Sequence, residues 1–185
     1  SISADGEYIA AHSDKVYLFG KDSSTPLQSY DGHWKSVAIS ADGEYIITGN
    51  GGGGSGVYLF GKDSDTPLWS YATGKDVWSV AISADGEYLV AGSEDFKVYL
   101  FDKDSSTPLW SYDTSANVRS VAISADGEYI AAGNTGYEAC LLLNNLPPTA
   151  TIDSISPSPA RFDAEVTFSG SGSDSDGTVV AYEWN

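Results

Sequence analysis

The sequence predicts an all-β repeat protein, and three observations predict it. The hexapeptide Ser-Ala-Asp-Gly-Glu-Tyr recurs at Ser3–Tyr8, Ser40–Tyr45, Ser83–Tyr88 and Ser124–Tyr129, and a spacing of about 40 residues marks a repeat architecture. Each unit holds four short runs rich in Val, Ile, Tyr, Phe and Trp, separated by Gly, Asp, Ser and Pro clusters, which is the pattern of strands and turns. No segment of useful length carries a 3.6-residue period, so no helix is expected.

In the third copy the strands are expected at Trp78–Ser83, Glu87–Ala91, Lys97–Phe101 and Pro108–Tyr112. Asp85-Gly86, between the first two, reads as a two-residue type I′ hairpin turn, because both residues tolerate positive φ. The third-strand runs Val16–Phe19, Val57–Phe60 and Val98–Phe101 do not alternate apolar with polar. A strand without alternation is covered on both faces. Four-stranded antiparallel units covered on both faces are blades stacked around an axis, so the expected fold is a β-propeller. About three and a half blades fit into residues 1–143: Ser1-Ile2-Ser3 is the tail of a first strand, and the fourth copy ends after its third strand, Ala139–Leu143. Closed propellers typically have four to eight blades. The expectation is a fragment of a larger chain, with a homo-oligomer that completes the propeller as the alternative.

The run Ser79–Tyr88, the following Ala91-Gly92-Ser93 and the strand ending Val98–Lys103 resemble the repeats of WD-repeat propellers. Gly32-His33 resembles the Gly-His of that family, and Phe101-Asp102 stands where the Trp-Asp pair would be. The stretch Asp102–Tyr112 is also similar to repeats of quinoprotein and YVTN-like propellers. Asn144–Pro148 breaks the pattern, and its prolines mark a linker. Residues 149–185, through Val166–Ser171 and Asp174 to Trp184, resemble the start of a polycystic kidney disease (PKD) domain. That resemblance implies a partial immunoglobulin-like sandwich and an extracellular or cell-surface protein.

The chain has 185 residues and a formal charge of −17, from 26 acidic and 9 basic residues. Such a surface repels phosphates and anionic lipid, which excludes nucleic acid as a partner. No apolar run approaches the roughly 20 residues that span a bilayer, so no membrane insertion is expected. The aromatic content, with 12 Tyr, 6 Phe and 5 Trp, excludes disorder for most of the chain. Cys140 is the one cysteine and cannot form an internal disulfide.

Antiparallel connectivity puts the first–second and third–fourth loops of every blade at one end, and the other loops at the opposite end. The first end is uniform: its turn is always Ala-Asp-Gly-Glu, and the spacing from the third-strand Phe to the next Thr is constant. The second end varies, at Ala11–Asp14, Asn50–Gly56, Gly92–Phe96 and Gly133–Tyr137, and at Asp31–Lys35, Ala72–Trp78 and Asp113–Arg119. Variable loops on a rigid scaffold carry binding function, so the variable end is expected to be the ligand face. The residue before each Ser-Val-Ala is Lys35, Trp78 or Arg119, with Trp34 alongside. On first strands these would ring the mouth of the channel, and Trp and Arg are typical binding anchors. His12, Asp14, Glu94 and Asp95 complete the expected face.

No catalytic constellation is expected. His12 and His33 lie in different copies without metal-ligand spacing. Gly51–Gly54 lacks the Lys-Ser/Thr of a phosphate loop. Asp174 and Asp176 have a partial calcium-loop pattern, but Gly172 stands at the first ligand position, so no cofactor or metal is assigned beyond that calcium candidate. The sequence reads as a non-enzymatic binding scaffold for a protein or carbohydrate ligand. The alternatives are a fragment of an enzyme propeller, either a quinone-dependent dehydrogenase or a sugar-active lyase or hydrolase, and a structural module that oligomerises.

Overall fold

The computed structural model describes residues 1–52 and 54–144, together with the backbone of Thr149–Ser156 and Thr167–Ser173. Contacts divide the chain into two compact units, Ser1–Leu143 and Asn144–Asn185. Each is described separately.

The first unit is built of four antiparallel sheets and no helix among the described residues. The first blade contains β1 (Tyr8–His12), β2 (Lys15–Gly20) and β3 (Gln28–Asp31), with Ile2 bridged to Ile9. The second contains β4 (Trp34–Ile39), β5 (Tyr45–Asn50), β6 (Gly56–Gly61) and β7 (Pro67–Ala72). The third contains β8 (Val77–Ile82), β9 (Tyr88–Ser93), β10 (Lys97–Asp102) and β11 (Trp110–Asp113). The fourth contains β12 (Val118–Ile123), β13 (Tyr129–Asn134) and β14 (Ala139–Leu143). Consecutive strands pair within each sheet, and the first strands β4, β8 and β12 pack on one another.

The cores lie between blades. One cluster joins Ile47, Val57 and Leu59 of the second blade to Val77, Leu89, Tyr99 and Phe101 of the third. Equivalent clusters join the first blade to the second and the third to the fourth. The second and third blades thus bury both faces, as their non-alternating third strands require. Aromatics of the fourth strands of the first two blades reach the third strand of the next blade. Tyr30 lies 4.1 Å from Phe60, centre to centre, and Trp69 and Tyr71 each lie 5.3 Å from Phe101. The Trp69 indole N–H donates to the Lys103 carbonyl at 2.6 Å.

The repeated hexapeptide differs from the expected two-residue turn. Gly6 N–H donates to the Ser3 carbonyl at 3.0 Å, and of the turn residues only the glycine takes positive φ, between 73° and 78° in the four copies. A type I′ turn would need positive φ at the aspartate too. Side-chain bonds favour the observed shape: Ser3 Oγ donates to Asp5 and accepts from Tyr8 N–H, and Asp5 accepts from Glu7 N–H. The same bonds recur in the other copies.

These turns also fasten the blades together. Ala4 N–H donates to Ala41 O at 2.8 Å, Ala41 N–H to Ala84 O at 3.2 Å, and Ala84 N–H to Ala125 O at 3.0 Å. The rings of the first three hexapeptide tyrosines lie against the glycine of the next turn: Tyr8 on Gly43, Tyr45 on Gly86 and Tyr88 on Gly127. Ser36 Oγ accepts from Val80 N–H at 3.1 Å, and Ser79 Oγ from Val121 N–H at 3.0 Å. Each such bond contributes about 1 kcal/mol net.

In the second unit β15 (Thr149–Ser156) and β16 (Thr167–Ser173) form an antiparallel pair with a register shift between Ile152 and Ser154. The pair does not by itself show the immunoglobulin-like sandwich expected over 149–185; the other residues of that stretch, the linker residues 145–148 and the calcium candidates Asp174 and Asp176 lie outside the described residues.

Candidate functional site

Each complete first strand carries one irregularity at the same place. The register shifts between Trp34 and Ser36, between Val77 and Ser79, and between Val118 and Ser120. The extra residue in each case is Lys35, Trp78 or Arg119. A bulge residue leaves the ladder and is re-aimed by the local twist. Val77 and Val118, which immediately precede the bulge residues Trp78 and Arg119, are fully buried and anchor each strand there.

The three bulge residues stack on one another across three consecutive blades. Arg119 Cζ lies 4.0 Å from the centre of the Trp78 ring, and Lys35 Nζ lies 4.5 Å from it. Each contact at a partly exposed site is worth about 0.5–1 kcal/mol. The indole N–H of Trp78 is buried and has no acceptor among the described residues.

The charges of this stack are unequal. Lys35 Nζ lies 3.8 Å from Asp76 Oδ2. Asp76 also accepts from Gly52 N–H at 3.0 Å and Ser55 Oγ at 2.9 Å. The Gly52 N–H above all, then Ser55 and Lys35, hold its carboxyl below the usual range. Arg119 has no carboxylate partner among the described residues. Lys15, Lys21, Lys62, Lys97 and Lys103, by contrast, each pair with an acidic side chain.

The other expected residues are distributed differently. Trp34 is 7% exposed, donates its indole N–H to the Tyr30 carbonyl at 2.9 Å, and meets Tyr58 edge-on at 5.3 Å. It packs the joint between the first and second blades. Glu94 accepts from Asn117 Nδ2 at 3.1 Å. Asp95 accepts from Gly74 N–H at 2.9 Å and from the Tyr99 hydroxyl at 2.7 Å. Burial, then that bond, pushes the Tyr99 phenol up. Glu94 and Asp95 therefore brace neighbouring loops. His12 is exposed at the end of β1, and Asp14 accepts from the Tyr17 hydroxyl at 2.9 Å. No hydrogen bond or ion pair links His12 or Asp14 to the stack among the described residues.

Three residues escaped the sequence reading. Asp76 stands in a loop that was singled out for its variation, yet nothing in the sequence marks it as the partner of Lys35. Phe96 and Tyr137 occupy matching loop tips with φ of 72° and 64°, a conformation that costs a bulky residue of order 1–3 kcal/mol. They are 43% and fully exposed, respectively. The signal for this pair was present: each is the aromatic that stands immediately before the charged residue leading into a third strand, Lys97 or Glu138.

The family model described as WD domain, G-beta repeat matches residues 24–59, 66–102 and 106–140, more than half of the chain. The chain belongs to the WD-repeat family. Each match in this WD-repeat chain starts before one blade's fourth strand and runs to the third strand of the next. The second match encloses the contact Trp69–Phe101, and the first ends one residue short of its counterpart Tyr30–Phe60. Phe101, which stands where the family's Trp would be, is fully buried, so the apolar role of that position is kept. WD-repeat propellers generally mediate protein–protein interactions. No curated protein matches the chain.

Proposed function

We propose that this WD-repeat chain is a non-enzymatic scaffold whose variable-loop end binds an acidic segment of a partner protein. The observation that supports this most is the seating of Arg119 on Trp78. A guanidinium stacked on an indole has its plane fixed and its N–H edge directed outward, ready for bidentate contact with a carboxylate. Little side-chain freedom is then lost on binding, which favours affinity. Arg119 is also a cation without a carboxylate partner, among the described residues, in a strongly acidic chain. A glycan is the poorer ligand for this site, because it would need a bare indole face, and Lys35 and Arg119 both lie over the Trp78 ring.

The reading extends to a secreted or cell-surface setting, supported by the charge of −17 and by the PKD-like resemblance of residues 149–185. The test is selection of peptides from a random displayed library on the purified chain and on Arg119→Ala and Trp78→Ala variants. Enrichment of Asp- and Glu-containing peptides that is lost in both variants is the expected result. Peptides that bind all three proteins equally would overturn the proposal.

A further inference from the structure

A cleft of about 500 Å³ opens between β11 of the third blade and β13 and β14 of the fourth. Its wall includes Tyr112, Val118 and Cys140, and its rim Ser115, Asn134 and Glu138. That volume lies within the range of small-molecule sites, about 300–1,000 Å³.

The cleft arises from a set of replacements that the other blade joints do not share. In register, Ala139, Cys140 and Leu142 of β14 occupy the places of Val98, Tyr99 and Phe101 of β10. Tyr112 occupies the place of Tyr71, since each faces the first residue of its third-strand Val-Tyr-Leu-Phe run. At the joint between the second and third blades, Tyr71 packs on Tyr99 and Phe101, at 5.6 and 5.3 Å, and the Tyr99 hydroxyl donates to Asp95. At the next joint both aromatics are gone, and Gly136 stands in the place of Asp95. Tyr112 is left 44% exposed, whereas Tyr30 at the first joint is 2% exposed.

The missing ring leaves a slot faced by one tyrosine. The rim supplies negative charge: Glu138 Oε2 accepts from Ser115 Oγ and Asn134 Nδ2, which leaves Oε1 for a further donor. Those two donors keep the Glu138 carboxyl below its ordinary range.

We propose that this cleft binds a small aromatic cation, whose ring replaces the absent tyrosine ring against Tyr112 and whose ammonium group meets Glu138. The site is separate from the Arg119–Trp78 stack and selects the opposite charge.

Cys140, the only thiol of the chain, reports occupancy directly. The probe is tyramine, with phenol as the uncharged control and 4-hydroxyphenylacetate as the anionic one. Binding is followed by calorimetry and by the rate at which iodoacetamide alkylates Cys140. Tyramine is expected to bind and to slow alkylation, whereas 4-hydroxyphenylacetate leaves the rate unchanged. Glu138→Gln should weaken tyramine about tenfold, a loss of one charged contact, and leave phenol unaffected. The double variant Cys140→Tyr with Gly136→Asp rebuilds the arrangement found one joint earlier; it should raise Tm by filling the cleft and abolish tyramine binding. Alkylation that proceeds at the same rate with and without saturating tyramine, or binding that survives in a folded double variant, overturns the proposal.

Discussion

The ring of Tyr8 lies against Gly43, the glycine of the next blade's turn, at the place where a Cβ would stand. The repeated hexapeptide is therefore one half of a joint at each of its occurrences. Its Tyr reaches forward to the next blade, and its Gly receives the Tyr of the blade before. Gly6 has no atom within 4 Å of a Cβ position, so among these turns it keeps the positive φ without the contact.

This difference separates two costs. Gly6→Ala should cost only the left-handed backbone penalty, about 1–2 kcal/mol. Gly43→Ala carries the same penalty and also displaces the Tyr8 ring, which should add about 1–3 kcal/mol. Denaturant unfolding of both variants measures the gap. Equal losses would show that the Tyr–Gly contact contributes nothing.

The serines of the Ser-Val-Ala motif bond across blades, not within them. Ser36→Ala and Ser79→Ala should each destabilise by about 1–3 kcal/mol, because Val80 N–H or Val121 N–H then loses its acceptor at a largely buried position. Amide hydrogen exchange at Val80 should speed up in Ser36→Ala. Unchanged exchange there would contradict the assignment.

The cation stack should matter more for recognition than for stability. Arg119→Ala removes a single cation–π contact of about 0.5–1 kcal/mol and should lower Tm by only a few degrees. Its effect on peptide binding should be much larger. A variant that unfolds at 37 °C would mean that Arg119 is instead a structural keystone.

Acid should loosen both ends of the first unit. Hydrogen bonds from Ser3 to Asp5, from Ser124 to Asp126 and from Gly52 N–H to Asp76 lower these carboxyl pKa values. A depressed folded-state pKa stabilises the protein above the unfolded value of 3.8 and ceases to do so as pH falls through the folded value. Tm should therefore be insensitive to these groups near neutrality and decline as pH falls below about 4. In Asp76→Asn the decline should be shallower, and thermal melts from pH 7 to pH 2 measure it.

Much of the first unit was legible because its strands obey local rules. Ala139–Leu143 was expected and found as a strand, and Lys97–Phe101 extends by one residue to Asp102. The fourth strand shifts from the expected Pro108–Tyr112 to Trp110–Asp113, although the equivalent Pro67 does begin β7 in the second blade. The turn type was misread because Asp-Gly suggests a type I′ hairpin, whereas the serine three residues before the glycine and the aspartate between them bond to each other instead. Lys35, Trp78 and Arg119 were singled out by register alone, but their bulge was not: a bulge is a property of the pairing of two strands. Trp34, adjacent in sequence, turned out to be buried, as its ring faces Tyr58 and Phe60. The cleft beside Cys140 could not be read from one strand, because it depends on what Tyr112 lacks on the opposite side.

The amide bonds from Ala4 to Ala41, Ala41 to Ala84 and Ala84 to Ala125 all run in one sense. The two sides of a blade are therefore unlike, one presenting a donor and a tyrosine ring, the other an acceptor and a bare glycine. Blades of this design can join only head to tail. A symmetric back-to-back pairing through either side would set like against like. Association through these sides is heterologous, so the bonding pattern is satisfied throughout only when the series returns to its own beginning.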